Sequence, residues 1–313
     1  MKLLRKSLLM TLAAAGIGIG TMGSAHADAF ASAILDINNF RLLHSGGAAF
    51  STADFTTLTG TNDAHATASL NGVFANGAQS FPILSGSNPD VPHQCVGVPC
   101  PALPENDFTP FPGPPPVPGT FGYADQALTG SSIIIGATPA GAHAQTRADA
   151  SLPVNGIASG NSDVGTSTTF AFTLGTGDTM TVAFDAIPYT QAYVSAGAAP
   201  TTNANARLSW SMQIIDLSSG TSVFDFAPTA LNSLSNVSRT DGLPGTSTYN
   251  GALASLAFAS TTPFLTGGTA YQITVQHNTL ANTLVAVPEP ATLAVFGIGL
   301  LGLALVSRRR KQS

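Results

Sequence analysis

The sequence predicts a mainly β protein: an antiparallel, jelly-roll-like β-sandwich body (residues 28–286) with one long proline-rich loop. Charged residues make up only 9% of the chain, against about 25% in ordinary soluble domains, and the body contains no lysine and one glutamate, Glu105. Scarce helix-surface residues and abundant Thr, Ser and Gly favour strands and turns. In the C-terminal half, apolar residues alternate with polar ones between turn signals, which is typical of half-buried antiparallel strands.

The first half of the body is less regular. Residues 30–43 and 131–136 predict strands. Short helices are possible at residues 123–128 and 142–150, although neither segment has the apolar stripe of an amphipathic helix.

Residues 81–119 hold twelve of the 21 prolines in the chain. Proline lacks a backbone donor, so this density excludes a central strand or a helix and predicts a surface loop or a semi-rigid spacer. A linker between two domains is the alternative. Residues 28–80 are too few for a separate sandwich, and we therefore expect an insertion into one domain.

The second half predicts a series of one-faced strands. Residues 170–174 and 180–184 alternate on either side of the turn 175–178, which predicts a β-hairpin. Further strands are expected at residues 208–214, 224–226, 252–258 and 271–277. Trp210 is in phase with the apolar residues of its strand and is therefore expected in the core.

The N-terminus has the features of a secretory signal peptide. Basic residues precede an apolar stretch at residues 8–20, and Ala25 and Ala27 supply the small residues that a signal peptidase recognises. We expect signal peptidase to remove residues 1–27, so that the mature chain begins at Asp28.

The C-terminus has the features of a membrane anchor. Residues 291–307 are apolar or small throughout, close to the roughly 17–25 residues that span a bilayer as a helix. The basic tail, residues 308–313, follows at once and includes Arg308, Arg309, Arg310 and Lys311. Since basic residues flanking a span stay in the cytoplasm, the body is expected to face outward.

Pro288, Glu289 and Pro290 stand immediately before the predicted helix. Two prolines hold this tripeptide extended and accessible to a protease. The order of tripeptide, helix and basic tail in residues 287–313 resembles the PEP-CTERM sorting signal. The resemblance implies that an exosortase, a membrane protease-transpeptidase, recognises and processes the chain.

The body also shows a resemblance to a family of exosortase-dependent surface proteins. Residues 29–43 (AFASAILDINNFRLL) resemble the opening of that family, and the strands around Trp210 and at residues 269–277 resemble two of its later segments. The resemblance implies sorting and supplies no catalytic residues.

The cysteines Cys95 and Cys100 lie five positions apart in an exported chain, which favours a disulfide. Two free buried thiols are one alternative, and a metal site that includes His93 is another, although it is short of ligands.

The charge balance bears on possible ligands. Four arginines stand against fifteen acidic residues in the body, a net charge of −11, and such a surface repels nucleic acid. Calcium is the most reasonable cofactor, since many carboxylates lack a basic partner, but no calcium-binding motif appears and no metal ligands are assigned.

The sequence predicts no enzymatic activity. The expected function is a structural or interaction role at the cell surface or in the extracellular matrix, associated with exopolysaccharide or biofilm. A carbohydrate-binding sandwich is the alternative, and a secreted hydrolase is a further one. Sugar-binding platforms favour Trp and Tyr, whereas the aromatic residues here are mainly Phe.

Overall fold

The computed structural model describes residues 28–98, 100, 104–113, 119–164 and 168–285. These residues form fifteen β-strands and two short 3₁₀ turns and contain no α-helix. The strands are β1 (Ala29–Leu43), β2 (Phe55–Leu70), β3 (Val73–Pro82), β4 (Gln94–Val98), β5 (Thr120–Thr129), β6 (Ala142–Leu152), β7 (Gly156–Val164), β8 (Thr168–Leu174), β9 (Thr181–Val194), β10 (Asn203–Asp216), β11 (Thr221–Phe226), β12 (Val237–Arg239), β13 (Gly245–Tyr249), β14 (Leu256–Thr261) and β15 (Ala270–Val285).

The strands form two antiparallel sheets, which confirms the predicted β class. The first sheet has seven strands in the order β13-β9-β1-β6-β5-β4, with β14 also paired to β9. The second has eight strands in the order β11-β10-β15-β7-β2-β3; β12 pairs with β10, and β8 pairs with both β15 and β2. Side chains from both sheets share one core, so the body is a sandwich.

Trp210 lies at the centre of this core, as predicted, with 1% of its surface exposed. Its ring centroid is 4.6 Å from that of Phe184 in the opposite sheet. Phe226 on the neighbouring strand and Phe40 on β1 lie at 5.8 and 6.2 Å. Such aromatic contacts add to the hydrophobic gain from burial.

The predicted hairpin across residues 175–178 is wrong. Strand β8 belongs to the second sheet and β9 to the first, so the turn is an arch that crosses between the sheets. Phe172 and Val182 both point into the shared core. The alternation therefore identified the buried face of each strand correctly, but it does not specify the hydrogen-bonding partner. The predicted partnership of β10 and β11 is confirmed, with Ile214 opposite Phe224.

Both possible helices are wrong, since residues 123–128 lie in β5 and residues 142–150 in β6. These strands are buried on both faces, which removes the simple alternation of a half-exposed strand. The strand expected at residues 131–136 is absent there: only Ile134 and Ile135 take part in isolated bridges. Strand β1 confirms the prediction for residues 30–43, whereas β14 begins four residues later than the strand expected at residue 252.

The long hairpin of β2 and β3 was not predicted. Its turn is Asn71-Gly72, in which both residues have positive φ (50° and 82°). Asn-Gly is the most characteristic sequence of a two-residue hairpin turn with this geometry. The hairpin could therefore have been predicted from this dipeptide.

The proline-rich insertion is not wholly irregular. Strand β4 lies within it and forms one edge of the first sheet, hydrogen-bonded only to β5 among the described strands. An edge position is compatible with neighbouring prolines because one side of the strand needs no donors. Residues 104–113, here called the strap, continue from it and lie over the outer face of β5 and β6.

Candidate functional site

The predicted processing residues lie outside the described part of the chain. These are Ala25 and Ala27 at the N-terminus, the tripeptide Pro288-Glu289-Pro290, the helix at residues 291–307 and the basic cluster Arg308, Arg309, Arg310 and Lys311. The structure instead shows where the body joins both segments.

Both termini of the body lie at one end of the sandwich. Ala29, at the start of β1, is opposite Leu152 and Val194, where β6 and β9 end. Only residues 153–155 separate Leu152 from Gly156, which is opposite Val285 at the end of β15. We call this the termini end, and the opposite end of the sandwich the far end.

A buried ionic network lies beneath the strap. Arg147 and Asp149 have fully buried side chains, and the Arg147 Nε donates to Asp149 Oδ2 at 2.6 Å. The Arg147 Nη1 donates to the backbone carbonyls of Asp107 and Thr109, both at 2.8 Å. The Phe111 ring centroid lies 4.5 Å from the guanidinium carbon, within cation–π range. Arg147 therefore joins the strap to the sheet through charge, hydrogen bonds and stacking.

Asp125 on β5 is the second attachment of the strap. Its Oδ2 accepts hydrogen bonds from the Asn106 backbone at 3.0 Å and the Tyr123 hydroxyl at 3.1 Å. Burial, reinforced by the nearby charge of Glu105, raises the pKa of Asp125 to about 6. The carboxylate is therefore held in a site that disfavours its charge.

The disulfide between Cys95 and Cys100 is confirmed, with the two Cα atoms 6.0 Å apart. Both sulfurs are consumed by this bond, so the alternative of a metal site with His93 is wrong. The His93 Nδ1 instead lies 2.8 Å from Glu105 Oε2, at the start of the strap. The disulfide and this pair fix the segment that follows β4.

Three other histidines also pair with carboxylates: His44 with Asp178, His65 with Asp163 and His143 with Asp36. Within the described ranges, no group of three or more His, Cys, Asp or Glu residues is arranged to hold a metal. Calcium binding therefore stays a prediction without assigned ligands.

One cluster brings together the residue types of a hydrolase. The Ser51 hydroxyl donates to Asp54 Oδ2 at 2.8 Å, and His44 Nε2 lies 3.3 Å from the same oxygen. A nucleophilic serine needs the imidazole at its own hydroxyl. Here the Ser51 hydroxyl and the His44 imidazole both contact the Asp54 carboxylate instead. The geometry is therefore that of a hydrogen-bonded turn and not of an activated serine.

His277 joins the two sheets inside the sandwich. Its Nε2 lies 2.9 Å from the Thr146 hydroxyl, and burial lowers its pKa to about 4. The His277 side chain therefore points inward and is hydrogen-bonded to the opposite sheet. A cavity of about 90 Å³ beside it is lined mainly by apolar residues, including Ile37, Phe170 and Trp210. This volume is well below the roughly 300–1,000 Å³ of small-molecule sites.

The described residues form a sandwich whose last strand, β15, ends at Val285, and a C-terminal segment follows it in the sequence. Residues 286–311 of this segment match the family model of the PEP-CTERM protein-sorting motif. The resemblance of the C-terminus is therefore confirmed, and the motif implies an exported protein sorted by an exosortase.

The other comparisons add no relative. No curated protein matches the chain, and no solved structure matches it. The resemblance of the body to one surface protein family stays a prediction. In the part of the chain that the structure describes, no helix has the length and hydropathy needed to cross a bilayer.

The network beneath the strap was missed in the sequence. Arg147 and Asp149 stand at positions i and i+2 of one strand, a spacing that places both side chains on the same face. The body has only four arginines. An arginine two residues from an aspartate is therefore a pattern from which this ion pair could have been predicted.

Proposed function

We propose that the chain is an exported bacterial surface or extracellular-matrix protein, processed and sorted by an exosortase. In this proposal signal peptidase removes residues 1–27. Residues 291–307 then hold the body at the outer face of the inner membrane, and the basic tail fixes the orientation. The body has a structural or interaction role, associated with exopolysaccharide or biofilm.

The match to the sorting motif at residues 286–311 is the observation that carries the proposal. It begins one residue after Val285, the last residue of β15. Only residues 286–290 separate the folded body from the proposed helix, and an extended segment of this length spans at most about 20 Å. The tripeptide would therefore lie close to the bilayer surface, within reach of a protease embedded in the membrane.

The body has features that suit an exposed structural protein. It contains no lysine, a disulfide closes the segment beside the edge strand β4, and a buried network holds the strap. The carbohydrate-binding alternative receives less support, because Trp210 is in the core. Among the described residues, the exposed large aromatics are Phe74 and Phe264, which lack the polar edge that sugar platforms use.

A pulse-chase with tags at both ends tests the sorting step. We expect a membrane-bound form first, followed by a shorter form without the C-terminal tag. Replacing Pro288-Glu289-Pro290 with three alanines should stop this conversion, and so should deletion of the host exosortase. Phe264→Ala, an exposed change at the far end, is the control and should be processed normally.

Two further results complete the test. Ending the chain after Val287 should release the body without a membrane stage, and the mature N-terminus should be Asp28. If the C-terminal tag remains joined to the body in a host that contains an exosortase, the segment is only an anchor and the sorting proposal fails.

A further inference from the structure

We propose that the termini end of the sandwich rests on the lipid bilayer, with exposed apolar side chains inserted among the headgroups. The body would then stand on the membrane in one orientation before processing. This inference rests on the proposed anchor at residues 291–307.

The termini end carries a group of exposed apolar side chains. Their exposed fractions lie between 46% and 83%, and they are Val73, Phe74, Val98, Val154, Ile157 and Leu243. Large apolar side chains gathered at one surface, rather than scattered singly, mark a contact with a partner or a membrane.

The strand register places these residues at the same end. Ile157 lies opposite Leu284, one residue before the end of β15, and its carbonyl accepts a hydrogen bond from the Asn71 backbone at 2.8 Å. Val73 and Phe74 begin β3 directly after the Asn71-Gly72 turn. The apolar side chains therefore surround the point where the chain leaves the body.

The distribution of charged residues also favours contact of the termini end with lipid. Residues 71–72, 153–155, 195–202 and 240–244, which connect strands at the termini end, contain one charged residue, Asp241. Asp28, beside Ser195, is a second acidic residue at this end. Glu105 and Asp107, in the connection from β4 to β5, belong to the strap over the outer face of β5 and β6. At the far end, Asp54, Asp178 and Asp216 lie at the turns. Since the body has a net charge of −11, most of its surface is repelled by anionic lipid, whereas the connections at the termini end carry few charges.

The tether leaves the termini end close to the membrane. Residues 286–290 reach at most about 20 Å, whereas β1, with 15 residues, extends roughly 50 Å toward the far end. The bilayer is therefore the apolar surface that this end meets first. We propose the bilayer, rather than another protein, as the binding partner of these apolar side chains.

Lipid quenching of tryptophan fluorescence tests the orientation. Phe74 and Phe264 are both 65% exposed, but they lie at the termini end and the far end, respectively. The full chain would carry Phe74→Trp or Phe264→Trp and would be reconstituted, from a host without exosortase, into phosphatidylcholine vesicles with brominated acyl chains. The buried Trp210 gives the same background in both variants.

We expect brominated lipid to reduce the emission of the Phe74→Trp protein and to leave that of the Phe264→Trp protein unchanged. Equal quenching of both variants, or quenching of neither, would overturn the inference while the proposed anchor stands. Protection of the Phe74→Trp side chain from acrylamide without lipid quenching would also overturn it, because a second copy or another protein would then cover this end.

Co-flotation of the protein with the vesicles is measured in the same samples. If the full chain fails to float with the lipid, residues 291–307 do not anchor it. Both the proposed anchor and the proposed contact of the termini end with the bilayer are then wrong. Flotation with unequal quenching supports both.

Discussion

Arg147 is predicted to have two roles that substitutions can separate. It balances the buried charge of Asp149, and it donates to two carbonyls of the strap. Arg147→Met keeps much of the side-chain volume and removes the charge, which leaves Asp149 without its ionic partner. Loss of one member of a buried pair costs about 3–5 kcal/mol, so we expect the free energy of unfolding to fall by about that amount.

The double variant Arg147→Met/Asp149→Leu removes both charges. Replacing a buried pair with apolar residues of similar volume is often neutral, so stability in a urea titration should return close to that of the wild type. The strap, however, still lacks its donor. Two lost hydrogen bonds of about 1 kcal/mol each should speed cleavage of the native strap roughly 30-fold.

Chymotrypsin cleavage after Phe108 under native conditions, followed by mass spectrometry of the fragments, measures strap opening; the Phe111–Pro112 bond resists the enzyme. Arg207→Met is the control, because Arg207 is exposed on β10 and its loss should change stability by less than about 0.5 kcal/mol. If the strap of the double variant is cleaved no faster than that of the wild type, Arg147 does not hold it. If the single variant is as stable as the wild type, the pairing argument fails.

Three further predictions concern the core, the disulfide and pH. Trp210→Ala should lower the unfolding free energy by about 3–5 kcal/mol in a urea titration, whereas Phe264→Ala should lower it by less than about 0.5 kcal/mol. Cys95→Ser should cost on the order of 2 kcal/mol in the loop-entropy model, which corresponds to a melting temperature lowered by about 4–8 °C in a body of this size; labelling of two thiols in the unreduced wild type would contradict the bond. The pKa of Asp125 is raised from 3.8 to about 6, so its contribution is present at low pH and is lost as pH rises through 6. The pKa of His277 is lowered from 6.5 to about 4, so its contribution is present above pH 6.5 and is lost as pH falls through 4. Urea titrations between pH 4 and 7 should therefore show that, relative to the wild type, Asp125→Asn loses stability toward low pH and His277→Gln loses it toward high pH; parallel curves would refute both assignments.

The sequence predicted the class of fold and the buried faces better than the connections. Trp210 and its strand neighbours were placed correctly, because period-two alternation follows directly from one-sided burial. The hairpin across residues 175–178 failed, since strands in opposite sheets that face one core show the same alternation as partners in one sheet.

Strands β5 and β6 show why the remaining errors arose. Their inner faces pack against the second sheet, and their outer faces carry Arg147, Asp149 and Asp125 beneath the strap. Polar residues on a covered face remove the contrast between buried and exposed positions on which the prediction depends. The contact of the strap with this face is a tertiary interaction, and local patterns in the sequence do not encode it.

The first and last strands of the body both lie inside their sheets. Strand β1 is between β6 and β9, and β15 pairs with β10, β7 and β8. The second sheet therefore cannot close until residues 270–285 have been synthesised, and pairings over such sequence distances form slowly. In the order of synthesis, the strand that completes the domain comes immediately before the sorting segment. Cleavage behind Val285 would thus separate the tail only from a chain that already contains every strand of the sandwich.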